Sequence, residues 1–149
     1  MFSKEIQAVN YLKRLNIRPT PIRLEIIQIF LKENKAIGYN AIKEKIKKTK
    51  DKVTIYRTIA LFLEKGILHK VNDGERECKY ALRFFSEENE KTNDHLHFKC
   101  EKCSKIICIE EATIKIENFP EKYKLLKLNI FAKGICDDCL EKNNAKITF

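Results

Sequence analysis

The pairs Cys100-Glu101-Lys102-Cys103 and Cys136-Asp137-Asp138-Cys139 decide how the C-terminal part of this chain folds. A C-x-x-C turn aims two thiolates at one point, and two such turns supply the four soft ligands of a tetrahedral structural zinc. Disulfides, a redox-active dithiol or buried thiols that share a spacing compete for either pair alone; the repetition favours a closed zinc knot, one per chain. The start, Met1-Phe2-Ser3-Lys4-Glu5, has no apolar core of a secretory signal, and no apolar run approaches a membrane span. A cytoplasmic protein without a membrane partner is therefore expected, and in that reducing compartment cysteines serve metals or sensing rather than disulfides.

Outward from the knot, 149 residues at 44% hydrophobic content can build one ordinary domain or two small ones. A small second domain needs a staple, which a metal provides. Residues Arg83 to Asn93 are polar and without apolar period, so they mark a boundary. The expected division is 1–83, a hinge over 84–93, and 94–149. Around the cysteines, His95 to Lys99, Lys105 to Ile109 and Leu125 to Ala132 read as strands, with a helix over Glu110 to Asn118.

Charge is unevenly distributed. Residues 1–70 carry 16 Lys and Arg against 6 Asp and Glu, whereas residues 71–149 carry 14 against 15. The basic half is the one that would face a polyanion. In it, Ser3 can cap a helix with Ile6, Val9, Leu12 and Leu15 at helical spacing, ended by Asn16 and Pro19. Thr20 as N-cap, Pro21 and Glu25 open a second helix with the stripe Leu24, Ile27, Phe30 and Leu31. After a break over Asn34 to Tyr39, Ile42 and Ile46 mark a short third helix. Asp51 caps a fourth, from about Lys52 to Lys65, expected to bury Val53, Ile59, Leu61 and Phe62 or close neighbours of these and to turn Lys52, Thr54, Tyr56 and Arg57 toward its N-terminal outer side, with Gly66 as its stop. Strands Ile67 to Val71 and Glu77 to Leu82, joined across Asn72-Asp73-Gly74, complete the order of a winged helix-turn-helix. The fold class is thus α+β: a winged helix-turn-helix domain, then a small α/β zinc-containing dimerisation domain.

In a helix-turn-helix the second helix of the pair enters the major groove by its N-terminal end, which makes Thr54, Tyr56 and Arg57 the groove residues. Arg57 can fork onto guanine or phosphate, and Tyr56 can pack on a thymine methyl or bond a phosphate. Arg18 and Arg23 flank the entry to the second helix and can reach the backbone or minor groove. Duplex operators read this way are usually two half-sites bound by a symmetric dimer, so double-stranded DNA and a second copy of the chain are the expected partners.

In order along the chain stand Arg18-Pro19-Thr20-Pro21-Ile22-Arg23, Val53-Thr54-Ile55-Tyr56-Arg57-Thr58, Glu64-Lys65-Gly66-Ile67, His95-Leu96-His97-Phe98-Lys99-Cys100 with Cys103, and Cys136 with Cys139. This succession resembles the ferric uptake regulator (Fur) family of bacterial metal-responsive repressors, over about residues 5–140. The resemblance implies a winged-helix domain, a short hinge, an α/β dimerisation domain, a structural zinc on four cysteines and a second, regulatory metal that fixes the DNA-binding domains for the operator. It also exposes departures. Where the family's regulatory site takes a histidine before the third helix, an acid or cysteine on the second wing strand and a carboxylate after the first zinc turn, this chain has Ala36, Ala81 and Cys108. A further carboxylate and histidine site of some members is replaced by Leu96, Lys115 and Leu128.

Two of only three histidines, His95 and His97, are two residues apart and so share one side of a strand. Cys108 on the adjoining strand can supply a third ligand, with Cys78 as a candidate fourth. The second, regulatory metal is thus zinc or Fe(II), and a thiolate in place of a carboxylate moves preference toward zinc. The expected function is a dimeric metal-dependent transcriptional repressor in zinc or iron homeostasis. The alternatives are a peroxide- or thiol-responsive regulator of the same fold that uses Cys78 and Cys108, or a metal-insensitive, zinc-stapled regulator. A zinc hydrolase or deaminase does not fit: its H-x-E and P-C-x-x-C elements are replaced by His95-Leu96-His97 and Ile135-Cys136, and four thiolates leave no open coordination position. No enzyme activity and no small organic substrate are expected.

Overall fold

The structure, a computed structural model, describes residues 4–48, 51–83, 95–109, 111–112, 114–126 and 128–144. The chain divides into two compact units, Met1–Phe84 and Phe85–Phe149. The expected hinge, 84–93, lies outside the described residues, as does Ser3.

The first unit runs α1 (Lys4–Arg14), α2 (Pro21–Glu33), β1 (Ile37–Gly38), α3 (Tyr39–Lys45), α4 (Lys52–Glu64), β2 (Leu68–Val71) and β3 (Lys79–Leu82). The strands form an antiparallel sheet in the order β1-β3-β2. Helices and sheet close over one core that includes Leu12, Ile27, Phe30, Ile42, Ile46, Ile55, Ile59, Phe62, Ile67 and Leu68. This is a winged helix-turn-helix.

Several local readings change. Ile6 is exposed and Ala8 and Leu12 face the core, so the buried stripe of α1 is rotated from the expected one. Thr20 makes no side-chain cap bond to α2. Glu25 instead accepts from the backbone N–H groups of Lys47 and Lys48, at 2.8 and 3.0 Å, and ties down the chain after α3. The break at 34–39 contains β1, whose two residues pair with Lys79 and Tyr80. The wing is longer than a two-residue Asp-Gly hairpin, because β2 ends at Val71 and β3 starts only at Lys79. Side chains build the turn: Asn72 Oδ1 accepts from Gly74 N, Asp73 Oδ1 accepts from Glu75 N, and Lys79 Nζ pairs with Asp73 and Glu75 at 2.7 and 3.0 Å.

On α4, Val53 is exposed rather than buried, and Leu61 is only partly buried; the core face is Ile55, Thr58, Ile59 and Phe62. The period explains the exchange: Ile59 and Phe62 fix the inward direction, and counting back in steps of three and four reaches 58 and 55, not 53. Gly66, at φ +69, ends the helix in the left-handed region, where a Cβ is unfavourable.

The second unit holds β4 (Leu96–Cys100), β5 (Ile106–Ile109), β6 (Ile130–Gly134) and α5 (Asp137–Asn144). Its sheet has the order β5-β4-β6, with β4 antiparallel to β5 and parallel to β6. The helix expected over Glu110 to Asn118 is absent from the described part of that segment, 111–112 and 114–118. Ile114 and Ile116 stand at a spacing of two with a β-branched Thr113 before them, a pattern that does not make a helical stripe. The third strand begins at Ile130, five residues after the expected Leu125, and Leu125 and Leu126 are exposed. No described helix is long and apolar enough to cross a membrane.

Candidate metal centres and nucleic-acid interface

The four-cysteine site is built by two backbone turns. After β4, Ser104 N bonds to Cys100 O and Cys100 N to Lys105 O, both at 2.9 Å, with Ser104 at φ 59. This folds the chain back so that Cys100 and Cys103 project to one side. The second turn is the entry to α5, where Cys139 N and Leu140 N bond to Cys136 O at 3.1 and 2.9 Å. Two bonds hold the turns together: Glu101 N to Gly134 O at 2.8 Å, and Cys136 N to Cys100 Sγ at 3.4 Å. Lys105 Nζ adds an ion pair with Asp138 at 3.2 Å.

The four sulfurs lie within 4.8 Å of one another, and Cys103 Sγ is 3.7 Å from Cys136 Sγ. A tetrahedral zinc with bonds of about 2.3 Å needs sulfur pairs about 3.8 Å apart, so the donor set fits the ion. Its electrostatics point the same way. Backbone N–H groups, first that of Cys136 and then that of Cys103, draw the Cys100 thiol down to about 6, whereas Cys139, hydrogen-bonded to Cys136 and partly desolvated, is pushed up to about 12. The backbone stabilises one thiolate; four of them together call for a dication.

A second group forms on β4 and β5. His97 is opposite Cys108 in the antiparallel register, and His95 lies one strand step before His97, with ring centroids 4.5 Å apart. His95, His97 and Cys108 each offer a ligand atom within 4.8 Å of the others. His97 is pushed down to about 4, chiefly by burial and then by the neighbouring His95 charge, so at neutral pH it presents the uncharged imidazole that metals bind. Two imidazoles and a thiol suit zinc better than a carboxylate-rich set would. Cys78, the fourth expected ligand, is exposed in the first unit ahead of β3, with its Sγ 3.6 Å from Lys79 O, and joins no group of three or more potential ligands among the described residues.

The candidate DNA-binding face is the start of α4. Asp51 caps the helix, accepting from Val53 N and Thr54 N at 3.1 Å each. The Thr54 hydroxyl, then these two N–H groups, hold its carboxyl below the usual range. Thr54 is half-buried with its hydroxyl donated to Asp51, while Tyr56 and Arg57 stand exposed, Tyr56 at 65%. Arg23 Nη1 donates to Arg18 O at 2.9 Å, which holds the Arg23 guanidinium against the backbone that enters α2. Sequence patterning missed the Lys105–Asp138 tie, α5, the close approach of Gly134 to Phe98 and the outward Val53. Asp137 and Asp138 directly after Cys136 were the available sign of a helix start.

A winged helix with a basic recognition face, followed by a four-thiol knot and a separate imidazole and thiol group, defines a metal-dependent DNA-binding regulator. The chain belongs to the ferric uptake regulator family, whose model matches residues 14–139. It is 28% identical over 142 residues to the ferric uptake regulation protein of Staphylococcus epidermidis, covering 92% of this chain and 96% of that protein. It is 24% identical over 151 residues to the peroxide operon regulator of Bacillus subtilis, covering 93% and 94%. Among solved structures, a zinc uptake regulator complexed with zinc and DNA shares the fold with a TM-score of 0.64 and 23% identity, over 97% of this chain and 99% of that one.

Proposed function

We propose that this protein is a cytoplasmic, homodimeric, zinc-responsive transcriptional repressor without enzymatic activity. One zinc on Cys100, Cys103, Cys136 and Cys139 builds the dimerisation domain. A second metal, held by His95, His97 and Cys108, acts as the regulatory ion. The observation that carries this reading is that trio: two imidazoles and a thiol within 4.8 Å, apart from the four-cysteine knot. A metal at this site sets repression to the extent that it binds the DNA-competent arrangement better than the other. Arg18, Arg23, Tyr56 and Arg57 contact the operator, and Thr54 supports that face through its bond to Asp51.

The second copy of the chain is supported by how little the second unit buries: among its described hydrophobic residues only Cys100, Ile106 and Cys136 are buried, while Ile114, Ile116, Phe119, Tyr123, Leu125, Leu126, Ile135 and Leu140 are exposed. So much exposed apolar surface in one segment is characteristic of a protein interface. A second reading, a peroxide-responsive regulator, is favoured by the half-buried Cys108 thiol at the regulatory site, since its oxidation would remove a ligand.

Metal content and DNA binding, measured before and after mild chelation, test the proposal. Two metals per chain, one stripped easily with loss of DNA binding, are expected. A single metal with chelator-indifferent DNA binding would overturn the regulatory part. Loss of binding on brief peroxide treatment, restored by thiol reductant and abolished in Cys108→Ser, would select the second reading.

A further inference from the structure

Helix α4 carries apolar side chains on its outer face. With Ile55, Thr58, Ile59 and Phe62 buried, the opposite stripe runs through Val53, Tyr56, Arg57, Ala60 and Glu64, all exposed. Val53 is 54% exposed and Tyr56 65%. An outward position on a helix is best filled by a straight-chain polar residue, and valine is among the poorer helix formers. Neither the core nor helix propensity therefore accounts for Val53. A single exposed valine is ordinary, but this one shares its face with Tyr56, three residues on, and with Ala60 beyond. Lys52 and Arg57, both exposed, flank the strip.

An apolar strip between cations complements a surface that is anionic at its margins and bears methyl groups at its centre. The major groove of duplex DNA has that character, with phosphates along its rims and the thymine C5-methyl as the apolar group on its floor. Val53 is also held in place. Its backbone N–H is fixed by the Asp51 cap, and its β-branched side chain is stiff about χ1, so little freedom is lost on contact.

We infer that Val53 is a specificity-determining residue, packing on the C5-methyl of a thymine next to the base step met by Tyr56. This rests on the repressor reading above. Three helical residues advance about 4.5 Å, close to the roughly 3.4 Å between base pairs, so the preferred half-site carries thymines or their complements at neighbouring steps.

The full-length protein, loaded with zinc, is used to select operators from a random duplex library. Each thymine of the selected half-site is then replaced singly by deoxyuridine, which removes the methyl and leaves the base-pairing edges unchanged. Wild type is expected to lose roughly three- to tenfold in affinity at one position, and Val53→Ala to lose that penalty there while keeping those at other positions. Because Val53 is exposed and alanine is the better helix former, Val53→Ala should unfold at or slightly above the wild-type temperature; Val53→Ile, which enlarges the same β-branched surface, should keep the discrimination. The inference is overturned if Val53→Ala discriminates thymine from deoxyuridine as wild type does, or if no selected half-site contains a thymine whose methyl matters. Failure to select any sequence would overturn the repressor reading and this inference together, whereas selection without methyl dependence would overturn only the inference.

Discussion

Arg57 and Ile55 sit two residues apart on α4 and serve opposite surfaces, which shows how much one helical step decides. Ile55 is fully buried, and Arg57 faces water on the stripe with Val53 and Tyr56. Removing the Arg57 guanidinium should therefore leave the fold intact and act on DNA alone. Arg57→Ala is expected to keep the wild-type unfolding temperature; if the side chain meets a phosphate, the dependence of log affinity on log salt should fall by about one unit, with similar loss on all sequences. A loss confined to operators with one particular base would assign it to base reading instead. The identities of Tyr56 and Arg57 as outer residues were legible because they lie near the capped start of the helix, where Asp51 sets the phase. Val53 was misplaced because an apolar residue at a helix start looks like core, and only the direction fixed by Ile59 and Phe62 excludes it.

Among the elements, the four helices of the first unit were readable because each carries its own periodic stripe and its own stop or cap. Strands were less so. β1 is two residues long and exists through pairing with β3, which no local pattern announces. In the second unit, β6 lies parallel to β4, a pairing between segments some thirty residues apart in sequence. Its last residue, Gly134, meets β4 closely: a Cβ there would lie 2.9 Å from the Phe98 ring, and its carbonyl accepts from Glu101 N in the first zinc turn. Gly134→Ala should force the ring aside at a cost of about 1–3 kcal/mol and displace one cysteine turn relative to the other. The expected readout is faster zinc transfer to a chromogenic chelator; an unchanged rate would mean that the ring yields without moving the knot.

For the molecule as a whole, the two units are stabilised by different means. The first has a continuous apolar core, while the described part of the second buries few side chains besides two of its cysteines. Changing Cys100, Cys103, Cys136 and Cys139 to serine should remove the tightly held zinc, unfold the second unit and turn a dimer into a monomer, while the first unit still unfolds cooperatively. Metal analysis, sedimentation and a thermal melt followed by far-UV circular dichroism would check this; a metal-free dimer with native helix and strand content would refute the role given to the knot. The sequence by itself determined the winged-helix plan, the cysteine quartet and the pairing of His95 with His97, because caps, periodic stripes and ligand spacings are short-range properties written in adjacent residues. Only the tertiary structure decided the exposure of Val53, the parallel placement of β6 and the junction of the two cysteine turns through Gly134 and Lys105, because each depends on packing against segments outside its own stretch of chain.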